Sequence, residues 1–248
     1  MSHRTNSNVI PATSWAIMDI LRTGIEDRVR TEFEPCFAAG SFDVDVEKLC
    51  SRPLLQSIYM ETLRLRSSAG SVRQPIQDGF TIGNWSFKKT GILFMMPWLS
   101  HRDTTFWNTG RDDDPHSVDE FWAERFLEYP GEPWSGPIRK NDKPEAYRVS
   151  GKKPLPKTAD DDKKAKLVTS GIQGHYLPYG GGIKMCPGRF FAKQEMMAAI
   201  AVLLRACDIE LLDRVGAERL RNSMSRFPFG TLVPDAKIPI RVRKRALR

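Results

Sequence analysis

Three segments of the chain carry apolar residues at the spacing of an amphipathic helix. They run from about Val9 to Arg22, from Leu54 to Leu65 and from Pro187 to Ala206, and helical spacing fits each of them better than strand alternation. Pro53 suits the first turn of the second helix. Pro11 lacks a backbone N–H and crowds the carbonyl four residues back, so a helix that continues before it should be bent there.

Short strand-like segments separate the second and third helices. They lie around Val72, at Phe80–Ile82 and at Ile92–Met96. Turn residues follow at Gln77–Gly79 and Gly83–Asn84, which favours strands joined by tight connections. Together with the helices, this pattern predicts a mainly α fold with small β-sheets.

Two further segments complete the pattern. Residues from about 129 to 173 are rich in Pro, Gly, Lys and Asp, which indicates a loop-rich insertion outside the core. Within it, the charged run Asp160–Lys164 is typical of a solvated loop. Near the end of the chain, Ile238, Ile240 and Val242 alternate, which suggests a final hairpin strand.

Composition narrows the class of protein. The chain has 248 residues, 40% of them hydrophobic, and a formal net charge of +8, so acidic proteins, anionic lipid and nucleic acid are all plausible partners. Its longest apolar run, Met196–Leu204, is too short to span a membrane, and no signal peptide opens the chain. The cysteines form no CxxC pair, which argues against a disulfide framework or a zinc ribbon and favours a reducing compartment. They are Cys36, Cys50, Cys186 and Cys207.

The most informative stretch runs from Tyr179 to Arg189. It is a glycine-rich turn that leads to Cys186 at the predicted start of the third helix. Glycines allow unusual backbone angles and the close approach of a flat ligand, and a helix N-terminus favours the thiolate form that binds metals. Two other interpretations fit the residues alone: a buried structural cysteine in a tight turn, or a phosphate loop, although no Gly-Lys-Ser/Thr ending occurs.

This stretch resembles the haem-binding signature of the cytochrome P450 family. Tyr179 stands where the family usually has phenylalanine. The resemblance implies that the cysteine ligates haem iron as a thiolate, that backbone N–H groups after it hydrogen-bond the sulfur, and that the basic residue reaches a haem propionate. The residues that match are Gly180, Gly182, Lys184, Cys186, Pro187 and Gly188.

A second set of residues resembles the family's conserved charge triad. Glu61 and Arg64 lie three residues apart on the second helix and therefore share a face. Arg125 lies in the segment Phe121–Phe126, which resembles a Pro-Glu-Arg-Phe motif with Ala123 in place of proline. An isolated pair of this kind is usually an ordinary surface ion pair. The resemblance implies instead a structural triad that supports the cysteine loop.

Three more residues occupy family-like places. Arg73 follows the second helix, in the strand that usually supplies a propionate-binding arginine, and His101 is a second candidate for a propionate contact. The other interpretations are an exposed arginine and a surface histidine. Asn8 precedes Ile10–Pro11–Ala12 as in the branch that includes cholesterol 7-alpha-hydroxylase, sterol hydroxylases and prostacyclin synthase. There it replaces the threonine used in oxygen activation. Otherwise it is a polar residue near a frayed end.

The resemblance covers nearly the whole chain, from the second half of the distal helix to the end. Family members are much longer, so residues 1–248 are expected to be the carboxyl-terminal part of a single haem domain, a truncated product or gene model whose anchor and early helices lie elsewhere. The implied activity is monooxygenation of a lipophilic substrate such as a sterol or fatty acid. The implied parent protein lies on the cytosolic face of the endoplasmic reticulum membrane.

The implied electron source is NADPH, through a separate flavoprotein reductase that docks on a basic face beside the cysteine. That face contains Lys184, Arg189 and Lys193. Two other functions remain open: a peroxide-rearranging isomerase or lyase that needs no reductase, and a non-catalytic fragment. A nucleic-acid binder is suggested only by the basic tail Arg241–Arg245, which no recognition motif accompanies, so no nucleic-acid partner is expected.

Overall fold

The computed structural model describes residues 7–68, 70–140, 156–225 and 230–246. Its helices are mostly short, and three longer ones dominate. The helices are α1 (Val9–Thr23), α2 (Glu26–Phe33), α3 (Val46–Cys50), α4 (Pro53–Arg66), α5 (Pro97–Ser100), α6 (Ala159–Asp162), α7 (Arg189–Ala206) and α8 (Arg214–Arg219).

The described strands form small antiparallel pairs. The pairs are β1 (Ser71–Arg73) with β4 (Leu93–Met95), β2 (Phe80–Ile82) with β3 (Trp85–Phe87), β5 (Gly110–Arg111) with β6 (Asp114–Pro115), β7 (Leu127–Glu128) with β8 (Lys166–Leu167), and β9 (Cys207–Leu211) with β10 (Ile240–Lys244). The expected fold class, mainly helical with small sheets, is confirmed.

The core lies where α1, α4 and α7 meet. Helix α4 is buried along almost its whole length, from Leu54 to Arg66, and apolar residues of α1 and α7 pack around it. A helix enclosed on all sides is normally apolar all round. Helix α4 instead buries Glu61 and Arg64, which requires partners for both charges.

The helix starts differ in detail from those predicted. Helix α1 begins at Val9, so Pro11 lies in its first turn, where a missing backbone N–H costs nothing and no bend is needed. Helix α7 begins at Arg189 rather than at Pro187, because Gly188 is its N-cap and accepts the first helical hydrogen bond, from the Ala192 N–H, at 2.9 Å. Pro187 is therefore outside the helix, in the turn that precedes it.

The segment predicted to be a loop outside the core contributes to it. Tyr129, Ala165 and Ile172 belong to the main core cluster. Asp162, predicted to be solvated, is buried at the end of α6, because it pairs with the guanidinium group of Arg28. Residues 141–155 of this segment lie outside the described residues, and the interpretation as an insertion stays a prediction.

The predicted final strand is β10, and its partner was missed. Ile240 pairs with Leu211 and Lys244 with Cys207 across the antiparallel ladder. Strand β9 follows α7 directly and lies far from β10 in the sequence. The two strands are thus not joined by the tight hairpin that the alternation suggested.

Candidate functional site

The glycine-rich turn holds Cys186 in a closed loop. Gly180 and Gly182 have φ values of 73° and 66°, in the left-handed region that favours glycine. The Cys186 N–H donates to the Tyr179 carbonyl at 3.1 Å, which closes the loop. A Cβ atom at position 180 would lie 3.1 Å from the Ser71 Oγ atom, so the glycine also permits close packing against β1.

Cys186 is exposed and lines a cavity between α1, α4, β1 and α7. Apolar side chains make up much of its wall, including those of Val9, Leu63 and Phe191. The cavity brings together every predicted site residue except His101 and Gly182. Those that line it are Asn8, Arg73, Tyr179, Gly180, Lys184, Cys186 and Gly188.

Asn8 is fixed at the edge of this cavity by a contact that the sequence did not indicate. Its side-chain Oδ1 accepts a hydrogen bond from the Thr231 N–H at 2.9 Å. Gly230 has a φ of 85°, and a Cβ atom there would overlap the Asn8 amide. Gly230 and Thr231 are therefore functional candidates, and only an isolated glycine before Thr231 could have pointed to them.

Arg73 joins strand β1 to the cysteine loop. Its guanidinium group donates to the Gly181 carbonyl at 2.7 Å and to the Val72 carbonyl at 2.9 Å. Lys184 is exposed within the loop, at the end of the 3₁₀ turn Gly182–Lys184. Two cationic side chains thus lie on the cavity wall beside Cys186, where carboxylates of a bound group would find partners.

His101 is fully buried and uses both ring nitrogens inside the protein. Nδ1 lies 3.0 Å from the Arg64 carbonyl, and Nε2 accepts from the Leu177 N–H at 2.9 Å. Burial, and then repulsion by the Arg64 guanidinium, lower the pKa of His101 to about 3, so the ring is neutral with its proton on Nδ1. This geometry gives His101 a structural role and leaves no ring N–H for the propionate contact that the resemblance implies.

The predicted charge triad forms a buried network. Arg64 donates to both Glu61 carboxylate oxygens, at 2.7 and 2.8 Å, and Arg125 donates to Glu61 Oε1 at 2.9 Å. All three side chains are fully buried. Burial alone would raise the pKa of Glu61, but Arg125 and Arg64 outweigh it and lower the pKa overall. The network is therefore ionised and internally paired.

The same helix holds the segment that leads into the cysteine loop. The Tyr176 hydroxyl donates to the Met60 carbonyl at 3.2 Å. The His101 ring bridges the Arg64 carbonyl and the Leu177 N–H. The buried network is thus connected to the cysteine loop through hydrogen bonds, as a supporting role requires.

A second buried charge cluster was not predicted. Asp19 on α1 pairs with Arg22 at 2.8 Å and with Arg66 on α4 at 3.3 Å, and the Arg66 guanidinium stacks 3.6 Å above the Trp15 ring. Burial raises the pKa of Asp19 in spite of both arginines. The i,i+3 spacing of Asp19 and Arg22 was a visible signal, whereas the contact with Arg66 joins distant parts of the sequence.

The site suits haem better than a bare metal ion. Among the described residues, no three His, Cys, Asp or Glu side chains come together as a metal-binding group. Cys186 would therefore be a single protein ligand, as in haem-thiolate centres, where the porphyrin nitrogens supply further ligands to the iron. The glycine turn, the apolar wall and the two cations fit a flat apolar ring with carboxylates at its edge. Within the described ranges, the helices are too short or too polar to cross a membrane.

Comparisons with known proteins agree with this geometry. The family model for cytochrome P450 matches residues 6–238. The chain is 39% identical to the cytochrome P450 monooxygenase efuG of Hormonema carpetanum, covering 100% of this chain and 43% of that protein. It is 36% identical to the cytochrome P450 monooxygenase fsoE of Humicola fuscoatra, covering 98% and 41%. Cholesterol 7-alpha-monooxygenase of Cricetulus griseus is more distant, at 26% identity over 84% of this chain and 37% of that protein.

Solved structures share the fold. The retinoic-acid-bound cyanobacterial CYP120A1 matches with a TM-score of 0.63 and 20% identity, over 98% of this chain and 43% of that one. The crystal structure of CYP102L1 matches with a TM-score of 0.61 and 22% identity, over 96% and 42%. The chain thus spans less than half the length of these relatives. With the family model covering most of its residues, the chain belongs to the cytochrome P450 family.

Proposed function

We propose that the chain is the carboxyl-terminal, haem-thiolate part of a monooxygenase, with Cys186 as the proximal iron ligand. The observation that carries the proposal is the exposed Cys186 in a closed glycine turn, lining a cavity shared with Asn8, Arg73 and Lys184. No other described cysteine lines that cavity.

Several residues of the chain would have separate roles in holding the haem. Bound haem supplies the activation of dioxygen. Cys186 would donate electron density as a thiolate, and Arg73 and Lys184 would pair with the propionates. Gly188 lies next to the sulfur, since a side chain there would begin in ordinary contact with Sγ, at 3.9 Å. Gly180 and Gly182 would hold the loop in the shape that lets a flat ring approach.

Asn8 would act on the side of the cavity opposite the sulfur. Because its Oδ1 is engaged by Thr231, its NH₂ group is the part of the side chain that can donate a hydrogen bond to a substrate group. Asparagine has no hydroxyl to pass on a proton, and Asn8 therefore also fits a second candidate of the same family, a peroxide-rearranging isomerase or lyase.

The substrate would be lipophilic, such as a sterol or fatty acid. The apolar cavity wall supports this, because burial of apolar surface is the main source of affinity for such ligands. A sterol is favoured by the similarity to cholesterol 7-alpha-monooxygenase. The parent protein would work on the cytosolic face of the endoplasmic reticulum.

Electrons would come from NADPH through a flavoprotein reductase bound to the basic face formed by Lys184, Arg189 and Lys193. The surroundings of these residues alter the contribution to docking that we expect from each of them. Lys193 is half-buried and donates to the Gln56 side chain at 2.6 Å, whereas Lys184 is exposed. Docking would therefore depend less on Lys193 alone than its spacing suggested.

Turnover assays separate the two activities. The full-length parent protein should oxidise a lipophilic substrate only with reductase and NADPH. Rearrangement of a lipid peroxide at equal rates with and without reductase would instead establish the isomerase or lyase. The isolated chain, which spans less than half the length of its relatives, is expected to bind haem without substrate oxidation. Oxidation by the isolated chain with reductase and NADPH would contradict that expectation.

A further inference from the structure

The first aromatic residue of the cysteine loop makes a contact that phenylalanine could not make. The hydroxyl oxygens of Tyr179 and Tyr59 lie 2.6 Å apart, and either of them can be the donor. Tyr59 is on α4, two residues before Glu61, and its side chain is buried. Tyr179 packs at the edge of the same core cluster. We call Tyr59 and Tyr179 the tyrosine pair.

Residue 179 is connected in two directions. Its side chain is bonded to α4, while its backbone carbonyl accepts the Cys186 N–H at 3.1 Å. A displacement of the Tyr179 ring would therefore move the hydrogen bond that closes the loop around the cysteine.

We propose that the tyrosine pair is a positioning device that holds the Cys186 loop in its ligating shape. The proposal rests on the proposed haem-thiolate function. Helix α4 is a suitable anchor, because the Glu61–Arg64–Arg125 network fixes it and because Met60 and the carbonyl of Arg64 already hold the preceding segment. Tyr59 and Tyr179 are not catalytic residues, since they act through the position of Cys186.

The test compares Tyr59→Phe, Tyr179→Phe and the double variant of the purified chain. Each variant keeps the ring and removes one or both hydroxyls. Tyr129→Phe is the matched control, because it also removes a buried hydroxyl, the one that donates to Asp162 at 3.0 Å. The first readout needs no haem: hydrogen exchange of the Cys186 amide. The net free energy of a hydrogen bond corresponds to a factor of about three to ten in an equilibrium constant. Exchange of the Cys186 amide should therefore be faster by about that factor in all three tyrosine-pair variants, and no faster in the double variant than in the single ones. In the control it should stay unchanged.

The second readout is the carbon monoxide spectrum of the reduced, haem-loaded chain. In the tyrosine-pair variants, the ratio of the non-thiolate band to the red-shifted thiolate band should rise by about three- to tenfold, while the control keeps the parent ratio. Unchanged Cys186 exchange and an unchanged band ratio in both single variants would overturn the positioning role. Absence of the thiolate band from the parent chain would instead overturn haem ligation, and the exchange measurement would still decide whether the pair holds the loop.

Discussion

The charge network on α4 and the cysteine loop differ in how completely their groups are buried and paired within the protein. Glu61, Arg64 and Arg125 are fully buried, and their charged groups find partners among themselves and in nearby backbone carbonyls. The loop around Cys186 is exposed along most of its length, and Ile183 within it is 99% exposed. One region is determined by internal contacts, and the other leaves its atoms exposed.

This difference explains why a buried charge network, which costs free energy to form, lies next to the exposed cysteine loop. Ionised groups in a core do not by themselves indicate high stability, since the free-energy cost of removing the charges from water can exceed the gain from their mutual attraction. They do fix geometry, however, because a misplaced partner would leave a buried charge unpaired. Through His101 and Tyr176, the same helix holds the segment before the loop. The loop can therefore stay open to a ligand without losing its position.

The largest effect should come from breaking the network. Arg64→Ala would leave the Glu61 carboxylate buried with one partner fewer, which typically costs about 3–5 kcal/mol of unfolding free energy, and folded yield and haem content should fall together. Arg241→Ala is the control: its pair with Glu210 is half-exposed and should be worth about 0–1 kcal/mol. Chemical denaturation measures both, and equal losses in the two variants would show that the buried triad carries no special weight.

The segment between α5 and α7 offers a sharper test of burial. Asp162 accepts two hydrogen bonds from Arg28, at 2.9 and 2.8 Å, and is buried, so Asp162→Ala should cost about 2–3 kcal/mol. Asp160, two residues earlier, is 80% exposed and pairs with an exposed lysine. Asp160→Ala should therefore change the unfolding free energy by less than about 1 kcal/mol. A similar shift of the denaturation midpoint in both variants would show that this segment is the solvated loop that its composition predicted.

The neutral, buried His101 predicts how the scaffold responds to acid. Its pKa of about 3 in the fold is below the value of about 6.5 expected when unfolded. The unfolded state binds more protons below pH 6.5, so stability is complete above that pH and falls as the pH drops, by up to about 1.4 kcal/mol per pH unit. His101→Gln, although less stable at pH 8, should have a flatter slope of unfolding free energy between pH 6.5 and 5. Parallel slopes would show that His101 is protonated in the fold.

The smallest effect is expected on the exposed face. In the full-length parent protein, Lys193→Glu should slow the first electron transfer from the reductase at low salt by a modest factor, since the half-buried ammonium is shared with Gln56, and should leave substrate binding unchanged. Surface attractions are screened over about 8 Å at physiological ionic strength, so the difference should vanish as salt rises. Lys163→Glu is the control, because Lys163 is an exposed residue just after the end of α6. Equal reduction rates across the salt series would exclude Lys193 from docking.

Much of the fold could be predicted from the sequence where the signal is local. The three long helices, the strands around Val72 and Phe80–Ile82, and the glycine turn before Cys186 follow from periodicity and from residue types at fixed spacing. The pairing of Glu61 with Arg64 also follows from i,i+3 spacing. Its full burial does not, because the same spacing serves an exposed ion pair.

What the sequence did not show depends on contacts between distant segments. Asp162 looked solvated in an acidic run, and its pairing with Arg28, 134 residues away, and the hydrogen bond from Tyr129 explain its burial. The contact of Asn8 with Thr231 spans 223 residues. His101 was proposed as a propionate ligand from its place along the chain, whereas its bonds to Arg64 and Leu177 make it part of the scaffold.

The spectrum of the reduced, carbon-monoxide-bound chain tests whether the Cys186 thiolate ligates haem iron. The haem-loaded parent chain should show the red-shifted thiolate band. Cys186→Ser should lose that band, while Cys207→Ser, which removes a half-buried cysteine outside the cavity, should keep it. A thiolate band that survives Cys186→Ser, or its absence from a haem-loaded parent chain, would show that Cys186 is not the thiolate ligand of the iron.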